Sequence, residues 1–168
     1  MGSGEGIQLQ QNRRQFLVCI AIPLAVGGFS AWLTRGSMET FAGLNKPPLS
    51  PPGWLFPVVW TLLFVLMGVA SWLVLQSKAP RQEIEQALRL YGVQLGVNFF
   101  WSIFFFNLSL YLFSFIWLIF LLVLILATAV RFYGISRLAG VLLVPYLLWV
   151  AFAGYLNLGI YLLHESGM

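Results

Sequence analysis

One segment of the chain combines amides and aromatic rings on a single face of a helix. At about 100° per residue, that face carries Gln94, Asn98, Trp101 and Phe105. Buried amides need hydrogen-bond partners, so the face should point into the protein interior. The amides either join neighbouring helices or line a pocket for a flat, hydrophobic ligand, and the sequence leaves both interpretations open.

Two further segments repeat this combination of rings with small or polar side chains. At helical spacing, one carries Phe56, Trp60 and Phe64, and the other carries Tyr146, Trp149, Ala153 and Asn157. If the three segments are helices of one bundle, these faces meet. We therefore predict that one cavity is lined by Trp60, Asn98, Trp101, Trp149 and Ala153.

The remaining residues give little support for conventional acid–base or metal catalysis. The chain has no Asp, and its five Glu residues lie outside the apolar segments. No Cys/His spacing typical of a metal site occurs. A proton-driven transporter normally keeps an ionisable residue at membrane depth, and none is visible. We predict no metal, no required cofactor and no conventional enzyme activity.

Composition indicates the class of protein. Hydrophobic residues make up 60% of the 168 residues, charged residues 8%, and the mean hydropathy is +0.89. A soluble domain carries roughly a quarter charged residues, so lipid is expected to solvate this surface. A spanning helix needs about 20 apolar residues. We predict an all-α integral membrane protein, a single domain over residues 1–168, with five spanning helices at about 16–34, 54–76, 85–107, 110–130 and 138–164.

The connection between the first two helices is long and rich in proline. It runs from Gly36 to Gly53 and contains four prolines, Pro47, Pro48, Pro51 and Pro52. Proline restricts the backbone of its own residue and of the residue before it. We interpret this loop as a semi-rigid lid over a binding site, with a passive turn as the alternative.

The distribution of Lys and Arg predicts the orientation in the membrane. Five spans place seven of the nine basic residues on the side of the N-terminus, namely Arg13, Arg14, Lys78, Arg81, Arg89, Arg131 and Arg137. The N-terminus should therefore be cytoplasmic, with the first loop and the C-terminus outside, in a bacterial-type membrane. The basic residues are scattered and form no patch typical of nucleic-acid binding.

Gly92 and Gly96 lie on the face of the third helix opposite its amides. This small-xxx-small pattern allows two helix backbones to approach closely. It predicts a homodimer contact, and packing within one chain is the alternative.

In this order, the motifs resemble those of the TspO/translocator protein family, also called tryptophan-rich sensory proteins. The resemblance covers about Pro23 to Asn157. It rests on L-x-K-P-x-x-x-P-P from Leu44, F-P-x-x-W from Phe56, M-G-x-A from Met67, Q-L-x-x-N-x-x-W from Gln94, and P-Y-x-x-W-x-x-x-A-x-x-x-N from Pro145. Two positions depart from the family pattern: Leu49 stands where Trp is usual, and Phe41 where Tyr is common.

The resemblance implies a dimeric five-helix bundle with a ligand cavity beneath the first loop. Family ligands include porphyrins such as protoporphyrin IX, sterols, and synthetic benzodiazepine- and isoquinoline-type compounds. The expected ligand contacts are Phe41, Lys46, Pro51, Phe56, Trp60, Phe64, Gln94, Asn98, Trp101, Phe105, Tyr146, Trp149, Ala153 and Asn157. Lys46 is expected either to pair with a porphyrin propionate or to be a solvated loop charge.

Three functions remain open on these observations. The first is a membrane receptor or translocator that binds porphyrin as a ligand, in stress sensing or tetrapyrrole regulation. The second is light- and oxygen-dependent porphyrin degradation involving Trp60 and Trp149. The third is a structural membrane protein without a ligand.

Overall fold

A computed structural model describes residues 2–37 and 43–165 of the chain, with side chains from residue 8 onwards. The described part is helical, and its α-helices are α1 (Gly2–Thr34), α2 (Leu55–Leu75), α3 (Arg81–Ser102), α4 (Tyr111–Ile135), α5 (Arg137–Val141) and α6 (Val144–Glu165). This confirms the all-α class.

Four stretches of the described chain are long and apolar enough to cross a membrane. They are Gln8–Ser37, Leu55–Leu75, Tyr111–Ile135 and Arg137–Glu165. The exception among the long helices is α3, which begins with the polar sequence RQEIEQ. That α3 forms a fifth span stays a prediction.

The helices form a closed ring rather than a simple row. α1 packs against α2 and α3, α3 packs against α4, and α4 packs against α6. The short helix α5, which precedes α6, packs against α2 and closes the ring. Inside the ring, Met67, Leu121 and Phe132 are fully buried. The outer faces carry exposed apolar side chains such as Val123 and Leu148, as expected where lipid replaces water.

Several helix boundaries differ from the predicted ones. α1 begins at Gly2 because the polar residues before Phe16 continue the helix. α3 begins at Arg81, directly after Pro80, and an ion pair of 2.9 Å between the Arg81 Nε and Glu85 Oε1 atoms supports its first turn. The last predicted helix is interrupted by a turn after α5, just before Pro145, which has no N–H to donate to the preceding turn.

The end of α3 is wound more widely than an α-helix. Residues Ile103–Asn107 form a π-helical turn, closed by a 3.1 Å bond from the Leu108 N–H to the Ile103 carbonyl. Asn107 then ties this turn to α1, because its Nδ2 donates to the Leu33 carbonyl at 3.2 Å. The Ser37 hydroxyl donates to Asn107 Oδ1 at 2.9 Å. The α1 end of the first loop is therefore anchored to the end of α3.

The proline-rich end of the first loop is docked on α6. Pro47 is buried over Gly159, where an added Cβ would lie 2.6 Å from the Pro47 ring. The Tyr155 hydroxyl donates to the Pro48 carbonyl at 2.9 Å. The Ser50 hydroxyl donates to the Pro47 carbonyl at 2.7 Å and closes a local turn. These contacts hold the loop in place, and its role as a lid stays a prediction.

The outward face of α3 is open at both glycines. Gly92 and Gly96 are exposed, and a Cβ added to either would meet no described atom within 4 Å. Within the described chain, the glycines therefore do not serve close helix packing. A contact with a second copy of the chain remains the prediction for this face.

Replacing Gly159 with Ala should displace the loop, because the new methyl group overlaps the Pro47 ring. Hydrogen–deuterium exchange in residues 43–53 should rise relative to the parent protein. Gly154→Ala is the matched control on the same helix, since its added Cβ would lie 3.9 Å from the Phe115 ring, an ordinary contact. Equal exchange in the two variants would show that Gly159 does not hold the loop.

Substituting Leu at both Gly92 and Gly96 should shift a detergent-solubilised dimer toward monomer, measured by light scattering after size exclusion. Gly134→Leu is the control, because Gly134 is also an exposed helical glycine with open space around it. A dimer that survives the double substitution would exclude this face as the contact.

Candidate ligand cavity

A cavity of about 570 Å³ lies between α1, α2 and α3 beneath the first loop. Pockets for small molecules span roughly 300–1,000 Å³, so the cavity is large enough for a drug-sized ligand. The structure brings seven of the predicted contacts to its wall, namely Lys46, Pro51, Phe56, Trp60, Phe64, Asn98 and Trp101.

A second, much smaller cavity of about 30 Å³ lies on the α6 side of this wall. It takes in three other predicted contacts, Phe105, Ala153 and Asn157. Five residues line both cavities and therefore lie between the two spaces, namely Lys46, Pro51, Phe56, Trp101 and Phe106. The predicted single cavity is thus divided in this structure.

Three predicted contacts line neither cavity. Gln94 and Tyr146 are fully buried in the packed interior. Trp149 packs edge-on against Phe56, with ring centroids 5.8 Å apart, and so lies behind the cavity wall. Phe41 lies outside the described residues.

Six aromatic side chains contribute to the wall of the large cavity, and Trp60 lies at shallow angles to two of them. The Trp60 ring lies 5.6 Å from Phe64 at 29° and 6.2 Å from Trp101 at 32° between the ring planes. This aromatic lining suits an apolar ligand with aromatic rings, because aromatic pairs contribute beyond the burial of their area.

A row of hydrogen bonds crosses the interior beside this wall. Asn98 Nδ2 donates to the Tyr146 hydroxyl at 2.6 Å, and that hydroxyl donates to Gln94 Oε1 at 2.9 Å. Gln94 Nε2 in turn contacts the sulfur of Met67 at 3.7 Å. Gln94 therefore joins α3 to α2 and α6, in line with the helix-joining interpretation, whereas Asn98 has both an interhelical partner and a place on the cavity wall.

Two buried polar atoms beside the small cavity have no hydrogen-bond partner among the described residues. They are the Trp101 Nε1 atom and the Asn157 Oδ1 atom. The other end of that amide is satisfied, since Asn157 Nδ2 donates to the Tyr111 carbonyl at 2.9 Å. The small cavity has room for an ordered water molecule, which can pair with such atoms.

The charged residues that line the described part of the large cavity are both cations, Arg35 and Lys46. Both are exposed at the loop side, and the Arg35 guanidinium also lies 5.3 Å from the Trp32 ring centroid. The interior below them is neutral. Such a site suits a ligand with an apolar body and an anionic edge.

The α1 wall of the cavity was not among the residues predicted from the sequence. This wall includes Gly27, Ser30, Ala31 and Thr34. The two small pairs at i+4 spacing were a usable signal, because they form a strip of small residues along one face of α1. Gly27 makes room for the Phe64 ring, which an added Cβ would overlap. Among the described residues, no group of three His, Cys, Asp or Glu lies close enough to hold a metal ion.

The interior hydrogen bonds should contribute measurably to stability. Tyr146→Phe removes a hydroxyl with two buried partners, so we expect a loss of about 1–3 kcal/mol. This corresponds to a fall in the detergent melting temperature of roughly 2–10 °C. Tyr155→Phe deletes the same atom from an exposed tyrosine with one partner and should change little. Equal shifts would mean that the interior row is not a stabilising contact.

Known proteins resemble the chain over most of its length. The sequence pattern of the TspO/MBR family matches residues 19–163. The tryptophan-rich protein TspO of Chlorobaculum tepidum is 39% identical over 141 residues, which cover 83% of this chain and 89% of the relative. That of Archaeoglobus fulgidus is 37% identical over 154 residues, covering 91% and 99%. The translocator protein of Bos taurus is 35% identical over 136 residues, covering 79% and 80%. The chain is therefore a multi-pass integral membrane protein that belongs to the TspO/MBR family.

Proposed function

We propose that this protein is a membrane receptor that binds porphyrin-type molecules in the large cavity. The observation that carries the proposal is the combination of a roughly 570 Å³ space, an aromatic wall and two cations at the rim. Family membership supports the general role, because relatives are named as sensory and translocator proteins.

The aromatic side chains of the wall support a planar ligand. The Trp60 ring plane is inclined by about 30° to those of Phe64 and Trp101. A flat macrocycle placed against these rings would gain aromatic contacts that a globular apolar molecule cannot make. This favours porphyrin and other planar aromatic ligands over flexible lipid chains.

The two cations at the rim support an anionic ligand. A porphyrin with two propionates needs partners for both carboxylates, since an unpaired charge in an apolar cavity is costly. Arg35 and Lys46 line the same cavity from two different segments. We expect the two carboxylates to pair with these cations while the macrocycle lies against the aromatic rings.

A second function, light- and oxygen-dependent porphyrin degradation, is favoured by one observation. The Trp60 indole lies directly on the cavity wall, where a bound porphyrin would touch it. Trp149 lies one layer further out, behind Phe56. If degradation occurs, Trp60→Phe should therefore slow it more than Trp149→Phe.

Titration of the purified protein with protoporphyrin IX in the dark tests the main proposal. Binding should shift the porphyrin absorbance bands. Lys46→Gln or Arg35→Gln should weaken binding by up to about fivefold, the range of exposed ion pairs. An uncharged aromatic ligand serves as the control and should bind all three proteins equally.

Each other outcome of this titration has a distinct meaning. If no spectral shift occurs, the function that remains is that of a structural membrane protein without a ligand. Equal losses for the charged and the uncharged ligand would mean that Lys46 acts through loop structure. Loss of the porphyrin spectrum only under light and oxygen, with a new product, would establish the second function.

A further inference from the structure

The outer face of α1 carries two adjacent arginines next to exposed apolar side chains. At about 100° per residue, Leu17 and Ala21 lie between the directions of Arg13 and Arg14, and Val18 lies beside Arg14. All five residues are exposed, and Leu17 is 65% exposed. Together they form the α1 strip, which faces the surroundings of the bundle.

The opposite side of α1 holds this helix against the bundle. Cys19 is buried there, and a Cβ added to Gly68 of α2 would lie 2.8 Å from the Cys19 carbonyl oxygen. The Phe16 ring packs edge-on against Trp72 of α2, with ring centroids 5.2 Å apart. These contacts fix the rotation of α1 about its axis, so the α1 strip points away from the other helices.

The two arginines lie at the depth of lipid headgroups. Between Arg13 and its last residue, Thr34, α1 rises by roughly 32 Å at about 1.5 Å per residue. The hydrocarbon core of a bilayer is about 30 Å thick. Leu17 and Ala21 then lie beside acyl chains, while the guanidinium groups reach the phosphates.

The described part of the chain offers these two arginines no carboxylate. Its acidic side chains are Glu83, Glu85 and Glu165. Its salt bridges join Glu85 to Arg81 at 2.9 Å and to Arg89 at 3.9 Å. Within this part of the protein, the positive charge of the α1 strip is therefore not neutralised, and an external anion can balance it.

A phosphate that carries acyl chains fits both halves of the strip. Planar guanidinium groups match phosphate oxygens in pairs. Lys78 adds positive charge at the same end of the bundle, because Gln76, two residues earlier, pairs with Gln15 of α1 at 2.8 Å. A zwitterionic headgroup would bring its own ammonium group next to this positive charge, whereas an anionic headgroup would not.

We propose that Arg13 and Arg14 bind the phosphate of an anionic phospholipid, with one acyl chain lying along Leu17 and Ala21. The predicted orientation places the α1 strip in the cytoplasmic leaflet, which is the leaflet that carries negative surface charge. The site is separate from the large cavity beneath the first loop. It therefore does not depend on the proposed function.

Two lipids with identical acyl chains test the proposal. Dioleoyl phosphatidylglycerol is anionic, whereas dioleoyl phosphatidylcholine is zwitterionic. Native mass spectrometry of the detergent-solubilised full chain gives the dissociation constant of the first bound lipid. We expect phosphatidylglycerol to bind about five- to tenfold more tightly than phosphatidylcholine. Glycerophosphoglycerol, the same headgroup without acyl chains, should not displace it at equal concentration.

Two double variants assign this preference to the α1 strip. Arg13→Gln with Arg14→Gln should bring the two lipid constants to within about twofold of each other. Arg131→Gln with Arg137→Gln is the matched control, because it removes two exposed arginines on the same predicted side of the membrane and leaves the strip intact. Leu17→Asn should weaken both lipids alike and leave their ratio unchanged.

Each outcome bears on the proposal. A preference that is lost only with Arg13 and Arg14 would confirm it. Equal binding of the two lipids to the parent protein would overturn it, and so would equal losses in the two double variants, since net charge would then set the preference. Displacement by glycerophosphoglycerol would overturn the acyl-chain contact. If the first double variant does not fold, the single Arg13→Gln and Arg14→Gln variants should each lower the ratio, and an unchanged ratio in both would overturn the site.

Discussion

The row of hydrogen bonds from Met67 through Gln94 and Tyr146 to Asn98 crosses a region where each polar atom must find its partner within the protein. Because it joins α2, α3 and α6, it sets how these helices are rotated about their own axes. The amides of α3 are thereby held inward, and the opposite face of α3, with Gly96, is left open to the surroundings. This row of polar contacts thus orients both the cavity wall and the outer surface of α3.

The cavity is the space beside the aromatic side chains that they do not fill. Trp60 packs against Phe64 and Trp101 at shallow angles, and the small residues Ser30 and Ala31 line the cavity from α1. The same rings therefore close the core on one side and line the cavity on the other. Rigid rings do so at little cost in side-chain entropy.

The first loop contacts both this cavity and helix α6. Its basic and proline residues Lys46 and Pro51 line the cavity, while Pro47 rests on Gly159 of α6. A ligand that touches the loop from below thus acts on a segment anchored to α6. Leu49, where the family resemblance leads one to expect Trp, is 83% exposed and lines neither cavity. In this conformation, the presence of Leu instead of Trp at position 49 removes no part of the cavity wall.

The sequence by itself determined the membrane class, the all-α fold and the family, because these depend on composition, helix-length apolar runs and ordered motifs. It also identified much of the aromatic wall, since helical spacing shows which residues share a face. Only the tertiary structure decided which faces meet and how far apart they lie. It placed Trp149 behind Phe56, divided the predicted cavity in two, and added a wall from α1. Periodicity describes one helix at a time, whereas a cavity depends on the separation and rotation of several, which packing and the Gln94–Tyr146–Asn98 contact establish.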